Sequence, residues 1–509
     1  MNEYYDDEIP ITKNDLVIRL MHNLAFSCIF LTVILSPWCF GGWEMWWFWP
    51  LTTLIAAGCL FTGTAILFSH VFRNTPIKGD IPKKHFKTSM PIIVAFLSCI
   101  PFLLYALIRR QFDSAPGHPI VAMDAERSLL LFITPIAIAI VMFFSATRKK
   151  LQILTYALIV NSVIIAIYAT INQFFQNGDY VLWVLSPWSY GGRAKAVFYC
   201  PNHLSAFFNI AIALCAAIVF TPRISRSKRI VASIFILVML IPNFLTLSRG
   251  GLASLAAGLL LGLTTLGTRR RSLLVKATVP IIVAITVFAS IIAVVKTDNP
   301  LMERVKNHGL YNIAVKNKDS SELAEKLASG FWYSFDRGMY IQSALRAWKS
   351  NPVWGIGPGQ HSSRWPEFAA TEIDRDGNPV VIPDDGDYST IKFPKLTNAN
   401  YHLYEVHSDW TQLLEEYGIA GFSLMLVTVL IFMGVLYTSQ TRVLKEDFEK
   451  NDNPSGIERA LPLAALLCSL ILIIHSLGDF SLQMPAIPWT FASLITAAIL
   501  TSSTTNREG

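Results

Sequence analysis

Residues 401–421 read YHLYEVHSDWTQLLEEYGIAG, a polar and aromatic stretch that runs straight into an apolar segment. It closes a long polar insert, Lys296 to Gly418, set between two apolar helices. On both sides of the insert apolar runs of about 18 residues or more recur, each long enough to cross about 30 Å of hydrocarbon as a helix. Counting outward from the insert, spans are expected near 16–37, 43–70, 88–108, 128–147, 151–173, 202–221, 230–247, 250–267, 273–295, 419–438, 460–478 and 487–503. The expected fold is therefore an all-α polytopic membrane protein of about twelve spans. Helices 1–9 occupy residues 1–295, the insert 296–418, and helices 10–12 residues 419–509.

Composition agrees with that reading. The chain is 53% hydrophobic and 15% charged, with a mean hydropathy of +0.44, more apolar than a soluble core of this length requires. A membrane β-barrel would alternate over about ten residues at a time, and no such alternation is present. The acidic opening, Met1 to Glu8, and a first apolar run without a small-residue cleavage site argue against a cleaved signal peptide. Seven cysteines form no CxxC pair and none lies in the insert, so neither a zinc site nor a disulfide framework is expected.

The net charge of +7 reports orientation rather than nucleic-acid binding, because the basic residues cluster in alternate connections. If every span crosses, Arg73/Lys78/Lys83/Lys84/Lys87, Arg148/Lys149/Lys150, Arg223/Arg226/Lys228/Arg229, Arg269/Arg270/Arg271 and Arg442/Lys445/Lys450/Arg459 share one side. By the positive-inside rule that side is cytoplasmic and holds both termini, leaving the insert on the outer face. Arg193, Lys195 and Arg249 then lie on the outer face against the bias and need another reason to be there.

Within the insert, 301–328 and 339–349 have helical periodicity, whereas 374–378 and 383–387 are turn-rich. Its scattered tryptophans, Trp332, Trp348, Trp354, Trp365 and Trp410, suit a layer at headgroup level.

The candidate chemistry lies at helix starts. Asn202 is placed to cap the sixth span and Ser248 the eighth. Arg193 precedes the first, Arg249 follows the second cap, and Gly250 and Gly251 let a ligand approach the backbone. A helix N-terminus beside a guanidinium suits a phosphate, because free N–H groups and the positive dipole end meet a fork of donors. Two such ends on one face suit a diphosphate; the alternative is that both arginines snorkel to headgroups. His407, expected on a helix through 401–421, is placed to take a proton from a hydroxyl, with His402 ranked behind it. Gly355-Ile356-Gly357-Pro358-Gly359 reads as a structural turn, since it lacks the strand and helix of a nucleotide loop. Asp374 and Asp376 have the spacing of a metal-binding carboxylate pair. His475 and Asp479 sit near a span end, where two ionisable groups are ordinarily solvated.

These motifs resemble those of the O-antigen ligase and O-antigen polymerase superfamily of bacterial membrane glycosyltransferases, which includes protein O-oligosaccharyltransferases. The likeness is carried by Arg193 through Asn202-His203, by Ser248-Arg249-Gly250-Gly251, and by Arg337 through Trp348, Asn351-Pro352 and Gly355–Gly359 to His407-Ser408-Asp409 with Glu416-Tyr417-Gly418. It covers roughly residues 190 to 435. Lys195-Ala196, Cys200 and Ser408 stand where relatives commonly carry Gly-Thr, Asn and Asn.

The resemblance implies a fold related to the C-type glycosyltransferases, with an outer loop capping a cavity. It implies an inverting, metal-independent and cofactor-free transfer of a glycan from undecaprenyl diphosphate to an acceptor hydroxyl at the outer, periplasmic face of the bacterial inner membrane. Arg193 and Arg249 would bind the diphosphate, His407 would activate the acceptor, and Arg337 would contact the lipid-linked donor. Lipid A-core is the first-ranked acceptor, which makes the protein an O-antigen ligase. A second lipid-linked glycan (polymerase) or a protein hydroxyl (oligosaccharyltransferase) are the alternatives. A transporter of lipid-linked glycan is the reading from another class, although the two halves show no evident pairing.

Overall fold

A computed structural model describes residues 13–71, 90–112, 121–187, 190, 192–266, 336–369, 405–449 and 456–504. His402, Asp374, Asp376, the span expected over 273–295 and the helix expected over 301–328 lie outside the described residues.

Thirteen helices make up almost all of the described chain. They are α1 (Lys13–Leu35), α2 (Met45–Val71), α3 (Met90–Phe112), α4 (Ala122–Ser145), α5 (Arg148–Gln176), α6 (Pro201–Phe220), α7 (Arg226–Leu245), α8 (Arg249–Leu266), α9 (Asp336–Ser350), α10 (His361–Ala369), α11 (Asp409–Glu449), α12 (Leu461–His475) and α13 (Ala486–Thr504). A two-residue antiparallel pair, β1 (Tyr180–Val181) and β2 (Val184–Leu185), follows α5. Among the described residues nine helices are long and apolar enough to cross a membrane, and Arg249–Thr264 and Ala486–Thr501 are shorter apolar helices. Each expected span other than 273–295 coincides with one of these helices, so the chain is an all-α polytopic membrane protein.

The centre of the bundle is α6, nearly all of whose residues from Pro201 to Ile218 are buried. It packs on α7, α8 and α12. Close contact between α8 and α12 is a matter of small residues. A methyl group on Gly258 would lie 2.3 Å from Ile471 Cγ1, and one on Gly262 2.3 Å from Leu467 Cδ2. This four-residue spacing of glycines lets two apolar helices approach where lipid offers no hydrophobic drive to bring them together. Elsewhere α3 packs on α11 and α1 on α2.

The end of α11 nearest the insert shows what the glycine-rich turn does. Gly418 (φ 63°, ψ −174°) breaks the helix after Tyr417, and backbone groups of residues 352–357 take over the broken bonds. Ile356 N and Gly357 N donate to Glu415 O and Glu416 O at 2.9 and 3.0 Å, while Ile419 N and Ala420 N donate to Pro352 O and Val353 O at 2.9 and 3.2 Å. Two backbones this close leave no room for a side chain: a Cβ on Gly355 (φ 76°) would lie 2.4 Å from Glu416 O. Tyr105 of α3 shares its hydroxyl proton between Tyr417 O (2.7 Å) and Trp354 O (3.1 Å), and Arg109 donates to Gly355 O at 3.1 Å. The turn is structural.

Candidate functional site

The segment from Gly192 to Cys200 crosses the insert end of the bundle between β2 and α6. Ala194 N donates to Leu245 O at 2.9 Å, which holds this segment against the last turn of α7. Arg193, 6% exposed, donates from Nε to Thr246 O (2.6 Å) and from Nη2 to Asn202 Oδ1 (2.7 Å). The first contact sets a cation on the negative end of α7, a favourable placement for its dipole. Lys195 is buried too, and burial pushes its pKa down, with Asp179 partly offsetting that. Neither residue is a surface charge.

Asn202 does not cap α6. The helix begins at Pro201 with Cys200 in the cap position, because proline supplies a ready first residue. The Asn202 side chain instead bridges, accepting from Arg193 and donating from Nδ2 to Asp479 Oδ1 at 3.2 Å. Asp479, expected to be solvated with His475, is 1% exposed, and His475 is 3% exposed. They are buried because the turn after α12 folds inward over α6. Asp479 Oδ2 lies 3.3 Å from His475 Nε2 and 3.8 Å from His203 Nε2, and Asp479 O accepts from Asp409 N at 3.1 Å.

That last bond ties α11 to the same turn. Ser408 Oγ accepts from Thr411 N at 3.3 Å and so caps α11, and Asp409 Oδ2 accepts from Leu482 N at 3.1 Å. His407 therefore precedes the helix rather than riding on it. Its φ is 61°, a left-handed backbone that a non-glycine residue adopts at a cost and that clusters at functional sites. The reason is the cap: Ser408 stops the helix, and the chain reverses at His407 to reach it. The imidazole stacks on Phe480 (centroids 4.6 Å, 5°) and meets the edge of Tyr340 (5.2 Å, 89°). His203 meets Phe480 at 4.6 Å and 88°. Arg337 lies in the first turn of α9, three residues before Tyr340.

At the start of α8, Ser248 Oγ accepts from Gly251 N at 3.2 Å, closing the cap that the sequence suggests. Arg249 and Gly250 are exposed. Gly251 abuts α6, where an added Cβ would lie 2.0 Å from Ser205 Oγ. Beneath it runs a chain of buried amides and hydroxyls. Ser205 donates to Asn243 (2.6 Å), Asn243 to Asn209 (2.9 Å), Asn209 to Gly251 O (2.8 Å), and Ser254 to Gly251 O (2.9 Å) with His475 Nδ1 at 3.4 Å. The Asn209 and Asn243 amides are satisfied on both sides, and paired amides of this kind fix one arrangement of helices in an apolar setting.

Arg193, Asn202 and the Ser248 cap are thus gathered at one place, and the links through Asp479 and Phe480 reach His407. Sequence reading missed Asp479 and Phe480 as the joining pair. It also missed Asn209 and Asn243, whose signal was available: amides inside long apolar runs are expensive unless they meet each other.

A second polar cluster backs the His407 segment. His361 is fully buried with Nδ1 2.8 Å from Glu415 Oε2, and Gln412 donates to Glu405 (2.6 Å) and Glu416 (3.1 Å). Burial alone would push His361 down, but Glu415, with Glu405 and Glu416, outweighs it and the pKa is raised. Burial raises Glu405 as well, against the lowering effect of Gln412 and Arg127.

Comparison with known families returns a match over residues 234–426 to the model described as O-antigen ligase. A search of curated proteins finds no match.

Proposed function

We propose that this chain, which residues 234–426 ally with the O-antigen ligase and polymerase superfamily, transfers a glycan from undecaprenyl diphosphate to lipid A-core at the outer face of the inner membrane. The observation that carries the reading is the convergence of Arg193, two helix starts and His407 on one end of the bundle, joined through Asn202, Asp479 and Phe480. The description of the matching family favours the ligase acceptor over a second lipid-linked glycan.

In this reaction the diphosphate is already a capable leaving group, so the protein contributes position and charge neutralisation. His407 accepts the proton of the acceptor hydroxyl as its oxygen attacks the anomeric carbon. The bond from that carbon to the phosphate oxygen breaks, with inversion, and undecaprenyl diphosphate departs. Arg249, exposed beside the α8 N-terminus, meets the departing charge, with Gly250 and the Ser248 cap shaping the approach. Arg193 holds the two helix starts in register and adds positive potential from below. Arg337 contacts the lipid-linked donor, and the family's chemistry calls for no metal.

In cells lacking the protein, glycan accumulates on the carrier lipid and lipid A-core stays bare. Restoring the wild-type chain reverses this, and His407→Ala, present in the membrane at equal abundance, does not. Single repeat units on lipid A-core in the deletion strain would identify a polymerase instead. Full complementation by His407→Ala would remove the imidazole from the mechanism.

A further inference from the structure

The insert end carries a second constellation, on the side of α2 and α4, that the transfer steps do not use. Arg127, in the second turn of α4, holds its guanidinium carbon 3.9 Å over the ring of Trp43 and 5.8 Å from that of Phe48. Three carboxylates, Glu405, Asp124 and Glu44, lie within electrostatic reach of that guanidinium. Its Nε and Nη2 are nevertheless buried without a hydrogen-bond partner among the described residues. Glu44 is hydrogen-bonded with the phenol of Tyr199. The Tyr199 ring stacks on Phe40 (5.2 Å, 14°), and Trp183 meets Phe40 edge-on at 5.8 Å.

The chemistry of this group selects its ligand. Buried N–H donors left unmade are costly, so the arginine asks for oxygen acceptors from outside the protein. An anion is a poor supplier, because three carboxylates already surround the single guanidinium. An apolar ligand would leave the donors unmet. A neutral ring rich in hydroxyls meets every demand: its oxygens accept from Arg127, its hydroxyl hydrogens donate to Glu44 and Glu405, and its C–H face covers an aromatic ring. Burial, with Glu44 beside it, pushes the Tyr199 phenol up to about 12, so at neutral pH it remains a donor.

Glu405 connects this group to the reaction, since it lies two residues before His407 on the same segment. We propose that Trp43, Glu44, Arg127, Tyr199 and Glu405 form a subsite for a neutral sugar ring of the acceptor, beside the imidazole that deprotonates it. The word acceptor rests on the glycosyltransfer reading; the sugar site itself does not.

Saturation-transfer NMR on the full-length protein in nanodiscs tests it without turnover. The probe is the neutral oligosaccharide fraction released by mild acid from the envelope glycolipids of the protein's native cells, with the acidic fraction of the same release as control. The neutral fraction should bind, and Arg127→Gln and Glu44→Gln should each weaken it about tenfold, the expected effect of one charge-assisted hydrogen bond. Should Arg127→Gln fail to fold, Glu44→Gln, at a half-exposed position, decides with Tyr199→Phe, which keeps the ring and loses the hydroxyl. Equal binding by wild type and both of these variants, preference for the acidic fraction, or no binding of the neutral fraction would overturn the subsite. Saccharide binding by a protein that transfers nothing would sink the transferase reading and leave the subsite standing. Transfer with an unchanged acceptor KM in Glu44→Gln would do the reverse.

Discussion

Asp479→Asn keeps the shape of the side chain and removes its charge, and Asp479 is the residue through which the arginine and histidine ends of the site communicate. Its carboxylate accepts from Asn202 Nδ2 at 3.2 Å and lies 3.3 Å from His475 Nε2, in a setting where the residue is 1% exposed. An amide can accept on only one side. Turned to accept from Asn202, the amide gives up the carboxylate's charge beside the two histidines; turned the other way, its NH2 group opposes Asn202 Nδ2 and leaves a buried donor unmet. Such a loss costs about 2–3 kcal/mol. If it falls on the transition state through the displacement of Asn202 and Arg193, transfer slows by about 30- to 150-fold. Purified protein in nanodiscs, assayed for conversion of lipid-linked glycan and melted in parallel, gives both numbers. Because Asn202 stands between Asp479 and Arg193, Asn202→Ala and Asp479→Asn should be strongly non-additive in rate. Wild-type turnover in Asp479→Asn, or simple additivity in the double variant, would refute the argument that Asp479 positions the arginine.

Other outcomes follow from the packing and the second cluster. Gly258→Val places atoms where Ile471 Cγ1 already stands and should lower stability by about 2 kcal/mol through overpacking, whereas Gly63→Ala, with nothing within 4 Å of its added Cβ, should not; thermal melting in detergent compares them. Tyr105→Phe removes the hydroxyl that holds both Tyr417 O and Trp354 O, for a loss of about 1–2 kcal/mol and faster limited proteolysis near residue 354. The raised His361 gives stability that is complete below its ordinary pKa of 6.5 and is lost as pH rises through its higher folded value. Raised Glu405 acts in the same direction, since charging it when buried is unfavourable. Melting temperature should therefore fall as pH is raised above about 6.5, and His361→Gln should flatten that slope; a rise with pH would contradict the assignment.

The spans were legible because a bilayer demands long apolar helices and nothing else in this chain competes with that signal. The Ser248 cap was legible too, since a serine before Arg249-Gly250-Gly251 is a local pattern with a local cause. What could not be read was any feature set by distant partners. Asn202 has the composition of a cap, yet Pro201 starts the helix one residue earlier and frees the amide to bridge Arg193 and Asp479, which are nine and 277 residues away. His407 sits in a stretch with helical character, but Ser408 claims the cap and leaves the histidine outside it in a left-handed conformation. Asp479 and His475 read as boundary charges until the turn after α12 buries them. The glycines from Gly355 to Gly359 read as a structural turn, but what the turn serves did not show: the kink at Gly418, about sixty residues on in the sequence and in backbone contact with Gly355.

The most direct test is a mass balance. Purified protein in proteoliposomes, given undecaprenyl-diphosphate-linked glycan and lipid A-core, should form one new glycosidic product for each undecaprenyl diphosphate released, with both lost together in His407→Ala and in Arg249→Ala. Glycan that appears on the far side of the bilayer still attached to its carrier, with no glycosidic product in the wild-type protein, would contradict the account.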